Sequence, residues 1–135
     1  MKMRNILALT VVALVLCFAS CKPEEEEPIL KSVIQGKITY EDTETGWEGD
    51  AKSASVKLHN VNNETPLKEV TANDTGFYQI SGIMIDLNDT SKILYQVSAK
   101  FIMKFGNEET IFEGRSANIE LKGNDTVTCD IHLIR

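Results

Sequence analysis

The groups that could do chemistry in this chain of 135 residues are few and scattered. Two histidines, His59 and His132, stand far apart, each on the polar phase of a strand-like run, so both are expected at the surface. Zinc needs three or four ligands converging at fixed geometry, and no His or Cys pair has that spacing. A hydrolytic triad needs a Ser or Cys nucleophile, a His and an acid held together. Those residue types are present, but no motif joins them. No catalytic residue, metal site or cofactor is therefore assigned. The stretch 41–50, Glu-Asp-Thr-Glu-Thr-Gly-Trp-Glu-Gly-Asp, offers five carboxylates. Hard cations want oxygen ligands, but the stretch lacks the D-x-D-x-D-G spacing of an EF-hand loop and reads as an acidic exposed loop. Trp47, the only tryptophan, lies within it between Gly46 and Gly49. An aromatic side chain placed there either meets a ligand, by stacking on a sugar ring or anchoring a protein contact, or folds back to plug one end of the fold.

The cysteines carry a different chemistry. Lys2 and Arg4 form a short positive region, Ile6 to Phe18 is apolar, and Ala19-Ser20 precedes Cys21. Charge, apolar run and small residues in that order are the layout of a secretory signal peptide. A spanning helix needs about 20 apolar residues, and this run stops short at Lys22-Pro23. The segment Phe18-Ala19-Ser20-Cys21 resembles a bacterial lipobox, with Phe18 where Leu is usual. The resemblance implies a covalent lipid on Cys21 and removal of residues 1–20. Acyl chains contribute about 0.8 kcal/mol per buried methylene, so more than one chain holds a soluble domain firmly on a membrane. With Cys17 removed and Cys21 acylated, Cys129 has no disulfide partner. It is expected in the core, where small thiols are commonly buried.

After the lipidation site come Glu24, Glu25, Glu26 and Glu27. Four like charges repel and cannot bury themselves, so the segment is expected to be an extended, solvated spacer. It also resembles the surface-export signal of lipoproteins in Bacteroidetes-type bacteria. That resemblance implies an outer-membrane protein facing the medium; the periplasmic face is the alternative. The net charge is −6, and loss of Lys2 and Arg4 with residues 1–20 leaves −8. Phosphate binding needs a basic patch, and none is visible in the sequence, which argues against nucleic acid. The same charge opposes attraction to anionic headgroups, leaving the lipid as the membrane contact.

From Ile34 onward the chain alternates with period two. Ile34, Gly36, Ile38 and Tyr40 form one such set; Val56 and Leu58 another; then Tyr78 and Ile80. The longest runs Ile93, Tyr95, Val97, Ala99, Phe101, Met103, Phe105, followed by Ala117, Ile119, Leu121 and by Val127, Cys129, Ile131, Leu133. Each set turns an apolar face inward and a polar face outward. Polar stretches separate the runs: 60–66, read as a loop; Asn73-Asp74-Thr75-Gly76, a tight Asx turn; 86–92, a further loop; and 106–109 and 122–125, read as hairpin turns. No segment has helical periodicity. Short strands with regular turns predict an all-β sandwich or barrel.

Ile34-Gln35-Gly36-Lys37-Ile38-Thr39, Ala54-Ser55-Val56-Lys57-Leu58, the stretch from Thr71 to Ile80, Tyr95-Gln96-Val97-Ser98-Ala99 and Ile131-His132-Leu133 together resemble carboxypeptidase regulatory-like domains. The Gly-aromatic pair usual after the fourth of these is replaced by Lys100-Phe101, and the loops 41–51 and 85–92 are long. The resemblance implies a transthyretin-like (prealbumin-like) antiparallel β-sandwich of about seven strands over residues 32–135. A lipoprotein signal peptide (1–20) and a lipidated, acidic tether (21–31) would precede it. Many surface proteins carry that scaffold, and no single activity follows from it. Asp125-Thr126-Val127 resembles the Asp-Ser/Thr-apolar O-glycosylation motif of Bacteroidetes, with Thr126 the acceptor. The sequence is thus read as a non-enzymatic, lipid-anchored surface module whose partner is a glycan or an outer-membrane protein, accessory to an uptake complex. A structural envelope lipoprotein is the other reading.

Overall fold

The computed structural model describes residues 30–85 and 93–135. Cys21, the four glutamates, the signal peptide and the 86–92 loop lie outside them. The described residues form ten strands: β1 (Leu30–Glu41), β2 (Glu48–Asp50), β3 (Ser55–Asn60), β4 (Asn63–Thr71), β5 (Phe77–Ile85), β6 (Leu94–Phe105), β7 (Glu108–Arg115), β8 (Ile119–Glu120), β9 (Thr126–Thr128) and β10 (Ile131–Ile134). They make two sheets packed face to face, the expected β-sandwich, and fill seven strand positions because several positions are shared.

In the first sheet β1 is central. Antiparallel β5 and then β2 lie along one flank. On the other flank β9 and β10 run parallel to β1. The second sheet has the order β4-β3-β6-β7, with β8 beside the start of β6. Its pairings are antiparallel. The core lies between the sheets and is built from the inward phases that the sequence displays: Ile34, Ile38, Val56, Leu58, Tyr78, Ile80, Val97 and Leu133 are essentially inaccessible to water, joined by Phe112 of β7, a strand not identified from the sequence.

Gly36 shows how tightly the first sheet is closed. A Cβ there would sit 2.0 Å from the carbonyl oxygen of Cys129. That close approach lets the 129–130 link cross beside β1, with Cys129 N–H donating to Gln35 O and Lys37 N–H to Asp130 Oδ1. The Tyr78 hydroxyl donates to the same Cys129 oxygen from across β1. Burial pushes the Tyr78 phenol well above its ordinary pKa, and the neighbouring Cys129 adds to the effect.

Four local expectations are revised. Residues 60–66 are not a long loop, because β4 begins at Asn63 and pairs with β3. Nearly every β4 side chain is exposed and Pro66 lies within it, so an edge strand held by its backbone shows no alternation. Residues 122–125 do not close a hairpin; they carry the chain from β8 in the second sheet to β9 in the first. Cys129 is half-buried against the core rather than within it. His59 is not exposed but 8 % accessible. It lies on the outer phase as read, but a register irregularity between Leu58 and Asn60 brings the start of β4 against it. Its Nδ1 contacts Glu64 O at 3.2 Å, and its Nε2 contacts Ser98 Oγ at 2.8 Å.

Candidate functional site

The apolar phase of β6 outruns the core. Tyr95, Val97, Ala99 and Phe101 are buried, Met103 is half-buried, and Phe105 is 72 % exposed. The paired phase of β7 behaves alike: Phe112 is buried, Thr110 half-buried, Glu108 exposed. The opposite sheet causes this. Where β1 still runs, Tyr40 stacks on Phe101 at 4.7 Å and meets Phe112 at 5.2 Å. β1 ends at Glu41, and beyond it the 42–47 loop, with Arg135 beside it, takes its place across the gap. Trp47 reaches Phe105 with ring centroids 5.6 Å apart. Trp47 thus leans on the open end of the sandwich while 44 % of it stays exposed.

Asp42 gives the loop its shape. Its carboxylate, 2 % accessible as a residue, accepts from the N–H groups of Glu44 (3.0 Å) and Thr45 (3.4 Å). Arg135 Nη1 lies 3.8 Å from its other oxygen. The Asp42 backbone closes the turn, its N–H donating to Trp47 O and its carbonyl accepting from Gly46 N–H, both at 2.8 Å. Gly46 takes φ = +75°, which a side chain would resist. The remaining carboxylates are drawn apart: Glu41 Oε2 meets His132 Nε2 at 3.1 Å, and Asp50 pairs with Lys37 at 2.8 Å. The stretch 41–50 thus works as a clamp that presents Trp47, not as a ligand cage.

The result is a cleft of about 480 Å³ at the end of the sandwich. Trp47, Met103 and Phe105 supply its apolar wall; Glu44, Glu108 and Arg135 supply polar groups at its rim. A flat aromatic surface beside carboxylates can take the apolar face of a sugar ring while accepting from its hydroxyls, or seat a side chain of a protein partner. The twelve residues of β1 rise about 3.3 Å each, which puts roughly 36 Å between Leu30 and the cleft end. The cleft and Leu30 are at opposite ends of β1.

The other candidates sit elsewhere. Thr126 is exposed on β9, and Asp125 before it accepts from Lys122 N–H at 2.9 Å. His132 remains exposed, bridging Thr39 Oγ1 (2.8 Å) and Glu41. The His59–Ser98 contact has a nucleophile and an imidazole in reach, but Nδ1 faces a backbone carbonyl where a triad would place an acid. Sequence reasoning missed Phe105 as a partner of Trp47. The signal was present as an aromatic at the end of a long inward phase beside the Gly106-Asn107 turn.

No protein-family model matches the chain, and no curated protein matches it. Among solved structures it is similar to GBS52, the minor pilin of the Gram-positive pathogen Streptococcus agalactiae, with a TM-score of 0.47 and 15 % identity. The match covers 79 % of this chain and 45 % of the pilin, so the chain spans just under half the pilin's length.

Proposed function

We propose that this chain is a non-enzymatic module of the outer-membrane surface, anchored by lipid on Cys21, that binds a glycan or a protein in the Trp47 cleft and serves an uptake complex. The observation that carries the reading is the half-exposed Trp47–Phe105 pair at the end of the sandwich farthest from Leu30. A lipid on Cys21 and a solvated run at Glu24–Glu27 would point that end away from the bilayer, where ligands arrive. The order of charge, apolar run, small residues and Cys21 supports the anchor. The stretches around Gly36 and from Thr71 to Ile80 support membership of the carboxypeptidase regulatory-like group, and the acidic run supports a Bacteroidetes-type surface lipoprotein. No catalytic step is part of the proposal.

Trp47 is the only tryptophan, so its emission reports on the cleft directly. Titrating the protein with soluble oligosaccharides and candidate surface proteins is expected to shift that emission, and Phe105→Ala is expected to abolish binding while leaving the circular dichroism unchanged. Binding that ignores both Trp47→Ala and Phe105→Ala refutes the cleft. Acyl labelling of Cys21→Ser and protease shaving of intact cells test the anchor and the surface location separately.

One observation favours a second reading, a structural envelope lipoprotein. β4 is exposed along its length and pairs only with β3 among the described residues, leaving an edge on which a partner strand can add. Loss of an envelope partner from pull-downs after charge substitutions along β4, with Trp47→Ala neutral, is the outcome that selects it.

A further inference from the structure

A second hollow, of about 400 Å³, lies on the outward face of the β3-β6-β7 sheet, away from the Trp47 cleft. Strand register assembles it. Lys57 of β3 stands opposite Ser98 of β6, which stands opposite Arg115 of β7; the adjacent row is Ser55, Lys100, Glu113. Neighbouring strands are about 4.8 Å apart, so Lys57 and Arg115 straddle Ser98 across roughly 10 Å. Three cations thus meet on one face of a chain whose net charge is −6.

Two carboxylates border the hollow, and Glu69 stands opposite Lys57 in the β3-β4 register. Glu113 Oε1 lies 3.7 Å from Lys100 Nζ, and Glu69 Oε1 accepts from Ser55 Oγ at 3.0 Å. Lys57 and Arg115 have no carboxylate within ion-pair distance among the described residues. Ser98 Oγ is positioned between them by its contact with His59 Nε2, which gives that buried histidine a role. Like charges gathered on one sheet face oppose folding. Among the described residues Glu69, opposite Lys57 across the β3-β4 pairing, is the carboxylate that faces this pair without reaching ion-pair distance, and a bound anion would offset both cations directly.

We propose that this hollow binds an acidic polysaccharide, with a carboxylate or sulfate group seated over Ser98 between Lys57 and Arg115. Arg115 offers a planar fork that matches either anion, and Lys57 a point charge. The site is shallow and half-exposed, so a single small anion gains little from solvated cations. A polymer repeating its charge returns an anion to the site each time one leaves, and multiplies the weak contact. An extended anionic bilayer is disfavoured because the protein's overall negative charge opposes its approach, whereas a single polysaccharide strand meets the local patch. The proposal is independent of the Trp47 cleft and stands or falls without it.

Affinity electrophoresis or calorimetry of the detergent-solubilised full chain, with polygalacturonate and dextran sulfate against neutral dextran, tests it. In a Trp47→Ala background, which removes the cleft's own contact with neutral glycans, the two charged polymers are expected to bind, weakening with added salt, and dextran not to bind. Lys57→Ala and Arg115→Ala are each expected to weaken binding by roughly tenfold. Glu113→Gln, which frees Lys100, is expected to strengthen it, and Lys31→Ala, which removes an exposed cation of the other sheet, to leave it unchanged. Unaltered circular dichroism excludes misfolding of these surface variants. Equal retention on dextran, binding that survives loss of both Lys57 and Arg115, or equal and equally dependent binding to phosphatidylglycerol vesicles overturns the proposal.

Discussion

Phe101 and Phe105 share one face of β6, four residues apart, and meet opposite fates. Phe101 is closed into a cluster with Tyr40 and Phe112, at 4.7 and 5.8 Å. Phe105 is 72 % exposed with Trp47 leaning on it. The residue type and strand phase are the same; what differs is the facing sheet. Opposite Phe101 stands Tyr40 of β1. Opposite Phe105, β1 has ended and a loop takes its place. An apolar phase that continues after its cover has stopped leaves a patch that something else must cover, and such patches mark binding surfaces. The sealed aromatic cluster therefore holds the fold, and the open pair is the surface at which the proposed ligand would bind.

The comparison breaks most visibly at its sealed end. Phe112 is 1 % accessible, in contact with Phe101 and Tyr40. Phe112→Ala is expected to lose about 4 kcal/mol through lost burial and the cavity left behind. Chemical denaturation with an unchanged m-value checks it. A loss under about 1 kcal/mol would mean that the cluster collapses around the gap, and that the sealed and open ends do not differ as argued. Gly36→Ala comes next. Its methyl would meet the Cys129 carbonyl, which is backbone and cannot swing aside. A loss of about 3 kcal/mol is expected, at the upper end for overpacking, with the Tyr78–Cys129 hydrogen bond disrupted.

Tyr78 sharpens the sealed region further through pH. Its folded-state pKa is raised above the ordinary 10.0, chiefly by burial. The folded state therefore holds its proton where the unfolded state releases it. The associated stability is complete below about pH 10 and is lost as pH rises beyond that. Melting temperatures followed upward from pH 9 are expected to fall steeply past pH 10 in the parent. Tyr78→Phe is expected to lose about 1.5 kcal/mol at neutral pH, with the Cys129 carbonyl left short of a donor, and to show a shallower alkaline decline. Tyr95, also raised by burial, sustains a residual slope in that variant.

How much of this was legible in the sequence follows the same division. Period-two alternation fixed the faces of β1, β3, β5, β6 and β10, because one-sided burial writes itself into every second residue. The Asx turn was legible as well: Asn73 Oδ1 accepts from Thr75 N–H at 2.9 Å and from Phe77 N–H at 3.0 Å. β4 was not, because an exposed edge strand imposes no pattern on its side chains. The crossing at 122–125 was not, because a turn's residues do not reveal which sheet follows. Trp47 stood out as a lone aromatic in a polar loop. Its neighbour Phe105 did not, since β-strand phase says which way a side chain points but not whether the opposite layer extends that far. The hollow around Ser98 was invisible for a stronger reason. Lys57, Lys100 and Arg115 become neighbours only through the pairings of β3 with β6 and of β6 with β7, and register is a tertiary fact.

The smallest effect on stability falls at the open end, and there it is the informative one. Phe105 buries little, so Phe105→Ala is expected to change stability by less than about 1 kcal/mol. Its effect should appear instead in Trp47, which loses the ring 5.6 Å away and meets more water. A red shift of the single tryptophan emission, with the denaturation midpoint almost unmoved, is the expected pairing of results. A large stability loss would place Phe105 with Phe101 and Phe112 as a fold residue. A silent emission spectrum would mean that Trp47 is held by the Asp42 clamp alone. Asp42→Asn separates these two supports: it retains an oxygen for the Glu44 and Thr45 N–H groups but drops the charge facing Arg135, so a shift there without one in Phe105→Ala would give the clamp, not the ring, the work of presenting Trp47.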